Sequence, residues 1–258
     1  MIVKNEKDLE ALKEIGRICA LARDAMAKET KPGITTLELD LIAKRIFEEH
    51  GAESAPMGEY AFPGYTCISV NDVVAHGIPS EYVLKEGDKV NIDVSASKNG
   101  YFADTGLTIN IPPVTDKNRK LLETAKNAMY KSIEKAMPGT MSNNLGRAVY
   151  NEAQNHGFNV IRNLTGHGVG KTLHDNPENI FNYNERRGAS LIREGHVLAI
   201  ETFITEKDDY VEEYPDGWTL KTPNGNYVYQ FEHTVVVTKN GPMILTNGEE
   251  QDFFDPFS

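Results

Sequence analysis

The chain repeats itself, and each copy ends in an acid. Residues 86–93 read Glu-Gly-Asp-Lys-Val-Asn-Ile-Asp and residues 194–201 read Glu-Gly-His-Val-Leu-Ala-Ile-Glu. Both follow one pattern: Glu-Gly, a spacer, Ile, then a carboxylate. The likeness extends upstream, where Pro32-Gly33-Ile34-Thr35, running through Ala43 to His50-Gly51, returns as Pro138-Gly139-Thr140-Met141, running through Ala148, slightly out of register, to His156-Gly157. A unit of roughly a hundred residues used twice has to pack against its own copy, which implies a pseudo-twofold axis. Each copy brings an acid out on a hydrophobic strand, so the axis sets carboxylates opposite one another. One cation, or two, would satisfy them.

The rest of the composition narrows the class. With a net charge of -11 and no basic cluster to offset it, nucleic acid is excluded as a main partner, and there is no electrostatic reason for tight attachment to RNA. No apolar run approaches the ~20 residues that span a bilayer. The first residues, Met-Ile-Val-Lys-Asn-Glu-Lys-Asp-Leu-Glu, have no apolar core of a secretory signal. Cys19 and Cys67 make neither a disulfide framework nor a zinc-finger spacing, so a reducing, cytoplasmic home is expected.

Periodicity predicts helices over 7–29 and 36–50, the first stopped by Pro32-Gly33 and the second capped by Thr35 or Thr36 and closed at Gly51. Strand is expected over 65–76 with a break at Asn71-Asp72. A hairpin follows from Lys89 to Ile111, turning at Asn99-Gly100, the strongest short hairpin signal. The second half repeats the order with helices over 116–136 and 142–156. A glycine-rich loop at 166–170 comes next, then strands over 196–204 and 226–238 and a turn at Asn240-Gly241. The reading is one α/β (α+β) domain over 1–258, made of fused halves at about 7–112 and 116–238.

The hairpin allows a geometric deduction. A two-residue turn at Asn99-Gly100 sets Asp104 opposite Ser95, and Asp93, two residues from Ser95, shares its face. The two aspartates are then diagonal neighbours with Cβ atoms about 7 Å apart or less. An aspartate pair on a hairpin is more often a solvated strand face, but here Ile92, Val94, Ala103 and Leu107 flank the acids. Glu201 ends the apolar run Val197-Leu198-Ala199-Ile200, and Glu232 sits within Val228–Val237; a carboxylate in such a strand is costly unless paired or bound to metal. His76, His167 and His174 lie in glycine-flanked or loop contexts where backbone can approach a ligand closely. His50 and His156 read as helix-end residues, His196 has no evident role, and His233 should point away from Glu232's face.

Together these residues resemble the type I methionine aminopeptidases, in their short bacterial form, over nearly the whole chain. The family's ordered ligands Asp, Asp, His, Glu, Glu match Asp93 in Asn-Ile-Asp-Val, Asp104 in Phe-Ala-Asp-Thr-Gly, His167 in Gly-His-Gly-Val-Gly, Glu201 in Ala-Ile-Glu-Thr and Glu232 in Phe-Glu-His-Thr. The resemblance implies the pita-bread fold, a curved antiparallel sheet in two pseudo-twofold halves with helices outside. It also implies two divalent metal ions, Mn, Fe or Co with Zn admissible, bridged by Asp104 and Glu232, with Asp93 on one ion and His167 and Glu201 on the other. A metal-bridging water would attack the first peptide carbonyl, Glu201 would shuttle the proton, His174 would bind the oxyanion and His76 the substrate amide. Cys67 matches the family's pocket cysteine, with Phe62 and Trp218 completing an apolar pocket for methionine. The implied activity is removal of the initiator methionine from nascent peptides whose second residue is small and uncharged, by a monomer.

Two positions depart from the family pattern: Thr202 stands where Pro is usual, and Leu173 where some members have Phe. Two other readings compete. A prolidase or Xaa-Pro aminopeptidase shares the fold but usually carries a large N-terminal domain, and a metal-free binding protein would have lost ligands that are all intact here.

Overall fold

The computed structural model describes residues 1–248. Its first half runs α1 (Glu6–Glu29), α2 (Thr36–His50), β1 (Glu53–Ser54), α3 (Ala55–Tyr60), β2 (Cys67–Val70), β3 (Val73–Ala75), β4 (Lys89–Lys98) and β5 (Tyr101–Asn110). The second runs α4 (Asp116–Ile133), α5 (Asn143–Asn155), β6 (Asn159–Val160), β7 (Thr165–Gly168), β8 (Asp175–Phe181), β9 (Val197–Thr205), β10 (Glu212–Glu213), β11 (Leu220–Lys221), β12 (Val228–Thr238) and β13 (Gly241–Ile244).

Local chemistry sets the helix ends. Asn5 accepts a hydrogen bond from the Asp8 N–H to start α1, and Thr35 with Glu38 forms a reciprocal capping box at α2. Thr35, not Thr36, is therefore the cap. Gly51 closes α2 in the left-handed region at φ 63°, where a side chain would be strained. Along α1, Leu12, Ile15, Ile18, Cys19, Ala22 and Met26 are buried at helical spacing. They pack the helix onto the back of β4 and β5, each large side chain contributing roughly 1.5–3 kcal/mol on burial.

One ten-stranded sheet passes through both repeats in the order β1-β4-β5-β12-β9-β7-β8, with β2 on β4, β6 on β9 and β13 on β12. Every pairing is antiparallel. A separate small sheet, β10-β11-β3, stands beside it. The repeat in the sequence has a counterpart in the hydrogen bonds. Gly33 N–H donates to Leu84 O and Leu84 N–H to Ile34 O; in the second half Gly139 N–H donates to Ile192 O and Ile192 N–H to Thr140 O. The helices α1 and α2 of one half correspond to α4 and α5 of the other: α1 backs β4–β5 and α4 backs β9–β12, with α2 packed on α1 and α5 on α4. Among the described residues no helix is long and apolar enough to cross a membrane.

One expected element is different. Residues 166–170, expected as a loop because of their glycines, begin as strand β7, paired with β8 and β9. Gly166 and Gly168 are there because neighbouring backbone leaves no room. A Cβ on Gly166 would lie 2.6 Å from Ala199 O, and one on Gly168 2.2 Å from Asn176 O. Close approach and flexibility call for the same residue, and only the packing tells them apart.

Candidate active site

The five acid and imidazole side chains singled out in the sequence come from five strands and meet in register. Ser95 pairs with Asp104 across β4–β5 and Asp93 with Gly106, so Asp93 and Asp104 are diagonal neighbours as the turn geometry predicts. Gly106 also pairs with Glu232 across β5–β12, and Glu232 pairs directly with Glu201 across β12–β9. His167 pairs with Ala199, two residues from Glu201, and so presents its ring on the same face. One row therefore crosses the junction of the two halves: Asp93, Gly106, Glu232, Glu201.

Gly106 is the gap in that row. A Cβ there would lie 2.3 Å from the Gln230 side-chain oxygen. The space belongs to Gln230, which donates to Glu232 Oε2 at 3.0 Å and accepts from Asn91 Nδ2 at 2.7 Å. Gln230 and Asn91 were not singled out in the sequence. Each lies two residues before a candidate ligand, so the period of two that groups Asp93 with Ser95 would have placed them on the same face.

Like charges set directly opposite one another repel, and burial compounds the cost. Asp93 is pushed up to about 6 by burial. Asp104, Glu201 and Glu232 rise well above the carboxylate range, first through burial and then through one another's charge. Two of their oxygens, Asp104 Oδ1 and Glu232 Oε1, are buried with no hydrogen-bond partner among the described residues. His167 adds a complementary defect. Its Nδ1 lies 2.9 Å from Gly168 O; a carbonyl can only accept, so Nδ1 carries the proton and Nε2 is left with a bare lone pair. That lone pair faces Glu201 Oε1 at 3.7 Å and Asp104 Oδ2 at 3.9 Å. Burial, then the His174 ring, holds the imidazole neutral, its pKa down to about 3. A lone pair aimed at carboxylate oxygens is repulsive on its own and attractive once a cation lies between them.

The residues thus fit a divalent metal. Ligand atoms of Asp104, His167 and Glu232 lie within 4.8 Å of one another, and the donor set is hard oxygen plus one imidazole.

Above this floor is a cavity of about 490 Å³ whose lining includes every other candidate residue: Phe62, Cys67, His76, His174 and Trp218. Cys67, a free buried thiol, pairs with Asp93 across β2–β4 and so faces the cavity beside it. Phe62 and Trp218 meet edge to face with ring centroids 5.3 Å apart. His76 directly follows β3 at φ 53°, an uncommon conformation outside glycine, and its ring lies beside the Trp218 backbone. His76 is accessible from the cavity mouth, yet enough protein surrounds it that burial lowers its pKa. The His174 and His167 rings are 4.2 Å apart between centroids. Tyr60, at the end of α3, was missed by the sequence reading: its hydroxyl lies 2.6 Å from His174 Nδ1. No local pattern marks it, since α3 brings together residues 114 apart in sequence.

His233 is on the opposite face, its Nδ1 2.8 Å from Thr246 Oγ1. Thr202, behind Glu201, donates to Ala125 O of α4 at 3.2 Å; Pro at this position would lack the hydroxyl that ties the ligand strand to its helix. Leu173 is buried in the core and borders the cavity.

The chain is similar to known proteins over nearly its whole length. Residues 10–239 match metallopeptidase family M24. The chain is 51% identical over 247 residues to methionine aminopeptidase 2 of Bacillus subtilis, covering 95% of this chain and 99% of that one. A methionine aminopeptidase from Thermotoga maritima superposes with a TM-score of 0.92 at 34% identity, covering 96% of this chain and all of the other. A prolidase from Pyrococcus furiosus superposes less closely, with a TM-score of 0.78 at 26% identity, and this chain spans 66% of its length.

Proposed function

This chain belongs to the methionine aminopeptidases of metallopeptidase family M24, with their pita-bread fold, and on that premise we propose how its residues carry out the reaction. The observation that carries the reading is the convergence of Asp93, Asp104, His167, Glu201 and Glu232, with two buried carboxylate oxygens unsatisfied and the His167 lone pair turned toward them. Asp93, Asp104, His167, Glu201 and Glu232 would hold the divalent metal. Mn, Fe or Co suits this oxygen-rich set. Bound there, a pair of divalent cations supplies Lewis acidity toward the first peptide carbonyl and a water acidic enough to attack it near neutral pH.

The chain's own groups do the rest. Glu201, at the edge of the cluster, takes the proton of the attacking water and returns it to the leaving amine. His174, with Nδ1 accepting from Tyr60, presents Nε2–H to the oxygen on which charge develops. His76 contacts the substrate amide from the opposite wall. Phe62, Trp218 and Cys67, which line the cavity, receive the methionine side chain, and the accepted second residue is small and uncharged. Two free cysteines and the acidic balance support cytoplasmic work on peptides that arrive by diffusion.

The test uses Met-Ala-Ser, Leu-Ala-Ser and an Ala-Pro tripeptide, with chelator-stripped protein and with Mn, Fe or Co returned. Release of Met alone, restored by metal, is expected. Cleavage before proline would move the chain to prolidase chemistry, and no cleavage with any metal would leave a binding protein on the peptidase fold.

A further inference from the structure

Lys89, the first residue of β4, has no surface in contact with solvent. Its Nζ donates to Val73 O at 3.0 Å and to Val228 O at 3.2 Å. No carboxylate lies within ion-pairing distance of it among the described residues, and burial pulls its pKa down to about 7. A Met or Leu would fill this volume without desolvating an amine, so the lysine's contribution lies in what its two N–H bonds join.

They join two different sheets. Val73 opens β3 in the small sheet, and Val228 opens β12 in the large one. Strand β3 leads directly to His76 and pairs with β11, whose Leu220 faces Ala75 and which follows Trp218 by two residues. Leu220 pairs with Ala75 and the His76 ring lies beside the Trp218 backbone, so this wall of the cavity is one unit. Strand β12 leads to Gln230 and Glu232 on the floor. Lys89 is also the start of a polar row on β4: Lys89 reaches Val228 O, Asn91 reaches Gln230, and Asp93 lies in the carboxylate cluster. Among the described residues no backbone ladder connects β3 to β12; Val74 and Ala75 share an apolar cluster with Val228, the Ile68 N–H donates to Gly77 O, and the Lys89 amine adds a hydrogen-bonded link from β3 to β12.

We propose that Lys89 is a positioning residue for the peptidase reaction, its side-chain amine pinning the wall that carries His76 and Trp218 to the strand that carries Glu232. The proposal rests on the substrate-contact roles given above to His76 and Trp218. An amine is suited to this junction because two carbonyls converge on it and it offers each a donor whether charged or neutral. Loosening the junction displaces substrate contacts and leaves the ligand cluster in place, so it shows in KM before kcat.

The experiment uses metal-loaded Lys89→Ala and Lys89→Met, with two readouts: kinetics on Met-Ala-Ser and the emission of Trp218, the sole tryptophan. KM is expected to rise about tenfold with kcat within about threefold, and the emission to shift in both variants. In Lys89→Ala the missing atoms correspond to n-propylamine, which should restore both readouts while leaving the parent protein unaffected. Lys89→Met, already filled, should carry the defect without rescue. Parental KM and emission in Lys89→Met would overturn the proposal, since packing alone would then suffice. A folded Lys89→Ala that propylamine leaves unchanged in both readouts would overturn it as well. If Lys89→Ala does not fold, Lys89→Met decides alone. His76→Ala separates the premise: an unchanged KM there would remove the substrate role of His76, while Trp218 emission would still report on the Lys89 tether.

Discussion

The Tyr60 hydroxyl and Nδ1 of His174 are 2.6 Å apart, although the residues come from opposite halves of the chain. A phenol donates more readily than a neutral imidazole, so Nδ1 accepts and the His174 proton is held on Nε2. Tyr60→Phe keeps the ring and removes only the donor. A lost hydrogen bond of about 1 kcal/mol corresponds to roughly fivefold in rate. We expect kcat on Met-Ala-Ser to fall by about that factor with metal affinity unchanged; parental kcat would mean that Tyr60 has no part in the reaction.

Asp104 and Glu232 hold the two unsatisfied oxygens, a cost in the absence of a cation, and both are proposed above as metal ligands. Asp104→Asn and Glu232→Gln should each lower activity by about a thousandfold or more, with weakened Mn binding in calorimetry. The same substitutions relieve charge repulsion, so the stripped variants should melt about 2–6 °C above the stripped parent. A drop in both activity and apo stability would identify these residues as structural acids.

The raised carboxylates fix the sign of a pH effect. Asp93 stands at about 6 in the folded protein against 3.8 for the free side chain, and Asp104, Glu201 and Glu232 are raised further. A raised acid contributes stability that is complete below its unfolded pKa and is lost as pH rises through the folded value. The stripped protein therefore loses this contribution from about pH 4 upward through pH 6 and beyond, and metal binding must displace the retained protons. The thermal midpoint gap between loaded and stripped protein should widen by about 5 °C from pH 5.5 to 7.5. Calorimetric titration at neutral pH, in buffers of different ionisation enthalpy, should show proton release. No release would mean that the four acids are already ionised without metal.

Lys89 carries the opposite signature. Its amine titrates at about 7 when folded and at 10.5 when free, so above pH 7 the unfolded chain binds a proton that the folded one does not. Stability then rises with pH across that window, by at most about 1.4 kcal/mol per unit. Measured by urea unfolding at pH 7 and pH 9, the parent should gain stability relative to Lys89→Met. A pH-independent difference would place the amine in contact with water.

At Gly106 the ladder requires the absence of a side chain. Gly106→Ala would drive a Cβ into the Gln230 amide and break its bond to Glu232. A cost of about 2–3 kcal/mol in chemical unfolding is expected, together with weaker metal binding. An unchanged affinity would show that Gln230 does not orient Glu232.

Much of this site could be read from the chain because its ingredients are periodic. The Asn99-Gly100 turn fixes the β4–β5 register, and the register alone makes Asp93 and Asp104 diagonal neighbours. The doubled Glu-Gly pattern points to a second acidic strand, and the order of acids and histidine carries the family resemblance. His167 was read as a loop residue and stands on β7, because a glycine excluded by close packing looks the same in sequence as one chosen for flexibility.

By itself the sequence determined what depends on alternation and turn type: the strands that bear the acids and the shared face of Asp93 and Asp104. Tertiary structure alone decided what depends on distant segments meeting. The small sheet stands against the large one, Lys89 spans the two, Gln230 fills the space left by Gly106, and Tyr60 reaches His174. None of these contacts leaves a local pattern, because each is set by the distance between elements far apart in the chain, and that distance is fixed only when the whole core packs.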